Sequence, residues 1–187
     1  MDRMSLRDFP VGFTLMELLV VLVVLALLLT LGLPSMQQLV HKNRLHAEAG
    51  RLLAAINFTR SEAVLRNAPV SICPSSMSSS GEALCTGVYA DGWIVFSNAD
   101  RDRVVDMGSD EVLRVFDGLP AGYSLTNRSG TRLLTDLISY LPDGSSRKNR
   151  TLLICSPPGL AVAPLGIVIN IIGRPRLARD WGQCASV

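Results

Sequence analysis

Only two histidines, His41 and His46, occur in the 187-residue chain. A serine or cysteine nucleophile needs a base beside it, and that base needs an orienting group. With so few bases, no Ser–His–Asp or Cys–His set assembles, so no enzyme activity and no cofactor is expected. No two of the four cysteines have Cys-x-x-Cys spacing, and neither histidine lies near a cysteine in sequence. That spacing argues against a zinc site, and no metal is expected. Aromatic residues make up 5% of the chain, and none interleaves with the basic residues of the C-terminal part. Stacking of bases on aromatic rings is therefore not expected there. Lysine is nearly absent as well, since sixteen of the 18 basic residues are arginine. Internal repeats and a second boundary between globular domains are also lacking. Charge is missing altogether from Leu18 to Leu33.

That last absence frames what is present. Gly12-Phe13-Thr14-Leu15-Met16-Glu17 leads directly into the apolar run. Phe13 to Leu33 would span about 31 Å as a helix, the thickness of a bilayer's hydrocarbon core. A carboxylate in such a helix costs about 2.5–3.5 kcal/mol at its centre, so Glu17 needs a reason. Cleavage after Gly12 supplies one. It would give Phe13 a free amine that neutralises Glu17 within one helix or between neighbours. A secretory signal would place its cleavage site after the apolar run, not before it. The apolar helix is therefore expected to remain in the mature protein. Arg3 and Arg7 on one flank balance Lys42 and Arg44 on the other, so charge alone does not orient the span.

The segment Gly12 to Glu17 resembles the class III signal of type IV prepilins and pseudopilins. Pro34 also falls where many pilins carry a helix-bending proline. The resemblance implies cleavage after Gly12 by a prepilin peptidase and methylation of the Phe13 amine. It further implies assembly with other major and minor pilins, with Glu17 pairing to the Phe13 amine of an adjacent subunit. The N-terminus would face the cytoplasm. The protein would wait as a single-pass inner-membrane protein with a periplasmic head, and then join a pilus at the cell surface.

Beyond Pro34, Leu45, Ala49, Leu52, Ile56 and Ala63 recur at helical spacing and form one narrow stripe. One helix is predicted from about Phe13 to Arg66, ended by Asn67-Ala68-Pro69. Pro34, with Gly32 before it, should bend or locally melt that helix. Strands are predicted at 70–73, 92–96, 111–116, 123–126, 137–141, 151–155 and 166–172. Pro74 to Gly81 reads as an exposed serine-rich loop, and Leu141-Pro142-Asp143-Gly144 as a turn. Trp93 and Phe96 read as core. Short strands at about ten-residue intervals suggest an antiparallel sandwich or two small sheets. Cys73, Cys85, Cys155 and Cys184 form an even set in a domain expected outside the cytoplasm, which indicates two disulfides. Of three possible pairings, Cys73–Cys85 and Cys155–Cys184 are favoured, because each closes a local, turn-rich segment.

The stretches Arg60-Ser61-Glu62-Ala63, Val70-Ser71-Ile72-Cys73, Asp91-Gly92-Trp93-Ile94-Val95-Phe96, Glu111-Val112-Leu113-Arg114, Tyr140-Leu141-Pro142-Asp143-Gly144 and Gly173-Arg174-Pro175-Arg176 occur in that order. Together they resemble the GspH-like head of minor pseudopilins and of minor pilins of the FimU and FimT kind. The expected fold class is α+β, a long membrane-anchored helix packed on an antiparallel head. The expected divisions are a leader at 1–12, an assembly half-helix at 13–34, an amphipathic half-helix at 35–68 and a β-rich head at 69–187. The expected role is a minor pilin that primes or joins a pilus and supports twitching motility. Service in a type II secretion system is the alternative.

Gly173-Arg174-Pro175-Arg176 is similar to the Gly-Arg-x-Arg motif of FimT-type pilins, which implies DNA binding during uptake as a further alternative. Two arginines flanking a rigid proline suit successive phosphates. Arg147, Lys148, Arg150 and Arg179 would widen the patch, and across the last 41 residues Asp180 is the lone acid. The competing reading is a basic turn that keeps the C-terminus soluble or contacts a partner pilin. Asn98-x-Asp100-x-Asp102 with Asp106 departs from a calcium loop. Arg103 stands where the glycine belongs, Ser109 stands where the closing glutamate belongs, and an exposed acidic turn is expected instead.

Overall fold

The computed structural model describes residues 12–106, 108–160, 162–179 and 181–184, apart from the side chains of residues 31–35. The predicted leader therefore lies, but for Gly12, outside the described residues. The chain divides into two compact units, residues 1–39 and 40–187.

The helix α1, Leu15–Arg66, begins two residues later than expected. Thr14 is the reason. Its Oγ1 accepts a hydrogen bond from the Glu17 backbone N–H at 3.2 Å. Thr14-x-x-Glu17 has the spacing of a capping box, and an acid in the first turn suits the positive end of the helix dipole. The helix runs through Pro34 without interruption, so no local melting occurs there. Among the described residues no helix is long and apolar enough to cross a membrane. The span expected at 13–34 runs into the undescribed side chains of residues 31–35. Asn67 ends the helix in a left-handed conformation at φ 49°, and the Ala68 N–H closes back onto the Ala63 carbonyl.

In the second unit the stripe reads as predicted. Leu45, Ala49, Leu52, Ile56 and Ala63 are buried, joined by Ala55. Eight strands follow: β1 Val70–Pro74, β2 Gly92–Ser97, β3 Val112–Asp117, β4 Ser124–Asn127, β5 Ile138–Tyr140, β6 Arg150–Cys155, β7 Leu165–Ile169 and β8 Pro175–Arg179. A short helix α2, Met77–Ser80, interrupts the loop expected at 74–81. The strands form two antiparallel four-stranded sheets, ordered β3-β2-β1-β5 and β4-β6-β7-β8. One buried cluster joins the helix stripe to residues of both sheets, including Ile72, Trp93, Ile138, Leu152, Ile154 and Ile167. A smaller cluster of Cys73, Cys85, Ile94 and Phe96 lies apart from it. Strands β1 and β2 are therefore buried along nearly their whole length.

Two expectations are corrected here. The strand predicted at 166–172 stops at Ile169, and the chain turns back through Asn170 to Gly173. The segment that follows is strand β8 rather than a basic turn. Proline concealed it, because the missing N–H argues against a strand except at a sheet margin, which is where β8 lies. The favoured disulfides are both formed. The Cα atoms of Cys73 and Cys85 are 5.4 Å apart, and those of Cys155 and Cys184 are 5.9 Å apart.

Two buried tyrosines differ in how their hydroxyls are satisfied. Tyr89 donates to the Asp136 carbonyl at 3.0 Å and lies 3.2 Å from the Ile72 carbonyl, whereas the Tyr140 hydroxyl has no partner. Tyr89→Phe should cost about 1–2 kcal/mol in thermal unfolding, and Tyr140→Phe should be close to neutral. Burial pushes the pKa of both phenols above its ordinary value. They stay neutral in the folded chain and ionise once unfolded. Their contribution to stability is thus intact below a pH of about 10 and is lost above it. The double Phe variant should show a shallower alkaline decline in Tm.

Candidate functional site

The basic residues singled out in the sequence fall into two groups. Arg147 and Lys148 on the turn before β6 and Arg150 at its start line a pocket of about 520 Å³. Its other wall comes from the β2–β3 loop, which contributes Arg101 and Arg103. The sequence reading missed those two arginines as partners, because they lie more than forty residues away and looked like interruptions of an acidic loop. Asn98 fixes the loop in place. It is fully buried, and its amide donates to the Ser71 hydroxyl and to the Asp102 carbonyl, each at 2.9 Å. Arg103 is held by the Thr135 carbonyl at 2.7 Å.

Arg174, Arg176 and Arg179 form the second group, on and just before β8. Pairing with β7 sets their directions. Arg176 lies opposite Val168 and Arg179 opposite Leu165, three positions apart, so the two point to opposite faces of the sheet. A single flat arginine surface along this strand is therefore not formed. Arg176 packs on the ring of the partly exposed Trp181 at 5.0 Å, and Arg128 packs on the same ring at 5.4 Å. No aromatic interleaves with these arginines in sequence, yet folding places an indole beside Arg176. Trp181 follows the arginines in sequence instead of alternating with them.

The two groups adjoin through their turns. The Ser146 hydroxyl donates to the Asn170 carbonyl at 3.1 Å, and the Arg174 N–H donates to the Asn170 side chain at 2.8 Å. Gly173 lies against Gly144. In the 141–144 turn, the Ser145 N–H holds the Asp143 carboxyl below its ordinary value.

The acidic loop is tighter than expected. Carboxylate oxygens of Asp100, Asp102 and Asp106 lie within 4.8 Å of one another, and Asp106 is half-buried rather than fully exposed. Burial, followed by repulsion from Asp102, Asp100 and Asp110, raises the Asp106 carboxyl above its ordinary value.

In the first unit Phe13 is exposed, as is Glu17. Every apolar side chain from Leu15 to Leu29 is uncovered within the chain.

The sequence profile of the family described as type II transport protein GspH matches residues 48–173. Among curated proteins no sequence matches significantly. Two crystal forms of the type IV minor pilin FimU of Pseudomonas aeruginosa share the fold. One is 23% identical with a TM-score of 0.52, covering 73% of this chain and 90% of the FimU chain. The other is 19% identical with a TM-score of 0.51, covering 71% and 91%. At these identities the likeness is one of fold.

Proposed function

Since the chain belongs to the GspH family, we propose that it is a minor pilin which primes or joins a type IV pilus and supports pilus biogenesis and twitching motility. The observation that carries this reading is the uncovered apolar surface from Leu15 to Leu29, preceded by Gly12-Phe13 and carrying one charge, Glu17. A helix apolar all round needs lipid or sister helices as its surroundings. In this reading the protein waits in the inner membrane with its head in the periplasm, and a prepilin peptidase releases Phe13. Other pilins then cover the helix. An unpaired Glu17 is penalised in lipid, so pairing with a neighbour's amine selects the register.

Mass spectrometry of the mature protein should find a start at methylated Phe13 and a mass four hydrogens below the reduced form. Glu17→Ala should leave the head folded yet remove the protein from sheared pili. Recovery of the variant in pili at parental levels overturns the reading. Service in type II secretion is the rival suggested by the family's description, and a deletion that abolishes secretion but spares twitching would select it.

A second reading, DNA binding for uptake, is favoured by the Arg176–Trp181–Arg128 stack, which offers cations and an aromatic face together. It expects Arg174→Ala with Arg176→Ala to weaken duplex binding at low salt in a gel shift. It also expects the salt slope to become shallower by about 0.9 for each phosphate that the variant no longer neutralises. Unchanged binding sinks it.

A further inference from the structure

Arg101 and Arg147 share an unusual property. Among the described residues three non-glycine positions have positive φ, and these are two of them, at 62° and 54°. The third is Asn67, a residue type that tolerates this conformation at a helix end. Arginine gains nothing from it locally. Its side chain cannot form the short backbone hydrogen bonds that favour asparagine there, and glycine fits such turns without strain. Two strained arginines from segments far apart in sequence nevertheless line one pocket. Strain kept at two such points indicates that the side chains are needed there.

The pocket's chemistry defines the ligand. Five cations, Arg101, Arg103, Arg147, Lys148 and Arg150, face two acids, Asp100 and Asp136. Among the described residues Arg150 alone of the five has a carboxylate partner, Asp136 at 3.5 Å. The balance is positive, and Leu137 and Leu141 are the only apolar residues in the lining. An apolar ligand would find little to bury. Four of the five cations are guanidinium forks, whose geometry matches phosphate oxygens. The volume suits a small group or a short stretch of polymer rather than a folded protein.

We propose that the pocket between the β2–β3 loop and the turn before β6 binds a phosphate-bearing ligand through Arg101, Arg147 and Lys148. This is a site separate from the β8 arginines, and it does not rest on the DNA reading above. Phosphate of this kind is offered by a free phosphate compound, a nucleic-acid backbone or a lipid headgroup.

The test uses the full-length chain in phosphatidylcholine nanodiscs, titrated with inorganic pyrophosphate, a short oligothymidylate and a short-chain phosphatidylglycerol. At least one should bind, and the tightest identifies the source. Arg101→Gly with Arg147→Gly should weaken that binding about tenfold or more, the equivalent of one charge-assisted hydrogen bond. Its Tm should be unchanged or higher, because glycine relieves both turns. Lys148→Ala should give an independent loss without touching either turn. Arg174→Ala with Arg176→Ala should leave the pocket's affinity intact. The proposal is overturned if no phosphate probe binds the parent chain, or if the glycine pair and Lys148→Ala both bind as tightly as the parent. Tighter binding of a polyglutamate peptide than of every phosphate probe overturns it as well.

Discussion

Trp93→Ala should lower the unfolding free energy of the full-length chain by about 3–5 kcal/mol. That corresponds to a fall of roughly 10–15 °C in Tm, read by circular dichroism in detergent micelles. Trp93 is fully buried on β2. Its ring stacks on Phe116 of the neighbouring strand at 5.6 Å and meets Tyr89 at 6.3 Å. The Arg51 guanidinium lies over it at 4.7 Å while donating to the Gly118 carbonyl at 2.8 Å. Truncation therefore opens a cavity and removes an aromatic stack. It also removes the aromatic face beneath Arg51, a cation that ties α1 to the chain after β3 and keeps its ion pair with Glu48. Each loss adds to the transfer cost of the indole itself. Trp93→Phe keeps part of the stack and should cost clearly less. A loss below about 1 kcal/mol for the alanine variant would contradict the packing described.

Gly173→Ala should destabilise by about 2–5 kcal/mol, through two separable causes. The residue has φ +84°, where an L side chain costs about 1–2 kcal/mol. A methyl group there would also run into the Gly144 carbonyl oxygen and come within 2.8 Å of the Tyr140 ring. Overpacking of that kind typically costs about 1–3 kcal/mol. The obstacle cannot easily retreat, because the same Gly144 oxygen accepts a hydrogen bond from Arg60 of α1 at 2.9 Å. The glycine of the Gly-Arg-Pro-Arg segment is thus set by backbone packing, whatever its arginines do. Arg174→Ala, one residue on and exposed, should shift Tm by less than about 2 °C. Equal losses in the two variants would show that the turn is not packed as described.

Much of this was readable from residue order. The helical stripe works because its members recur at 3.6-residue spacing against an apolar environment, so Leu45 through Ala63 identify themselves. Seven strands announced themselves through short apolar runs between turns, and the two disulfides through local closure. Strand β8 was hidden by Pro175, since edge strands tolerate a residue that inner strands exclude. The pocket was hidden for another reason. Its walls come together only by tertiary folding, and the β2–β3 loop is anchored there through Asn98, which ties it to Ser71 of β1. No local pattern records that Arg101 and Arg147 line one pocket. Left-handed backbone at an arginine is likewise invisible until the turn is built.

The margin of the second sheet has a consequence for solubility. Among the described residues strand β8 has no partner strand on one side of its backbone, and an open ladder of that kind invites a further chain to add on and start fibrils. Pro175 removes a donor from that ladder, and Arg176 and Arg179 hang charge on either face of it. Head domains crowded side by side at high local concentration would repel one another there instead of zipping into cross-β aggregates. The same three residues guard the molecule against its own kind.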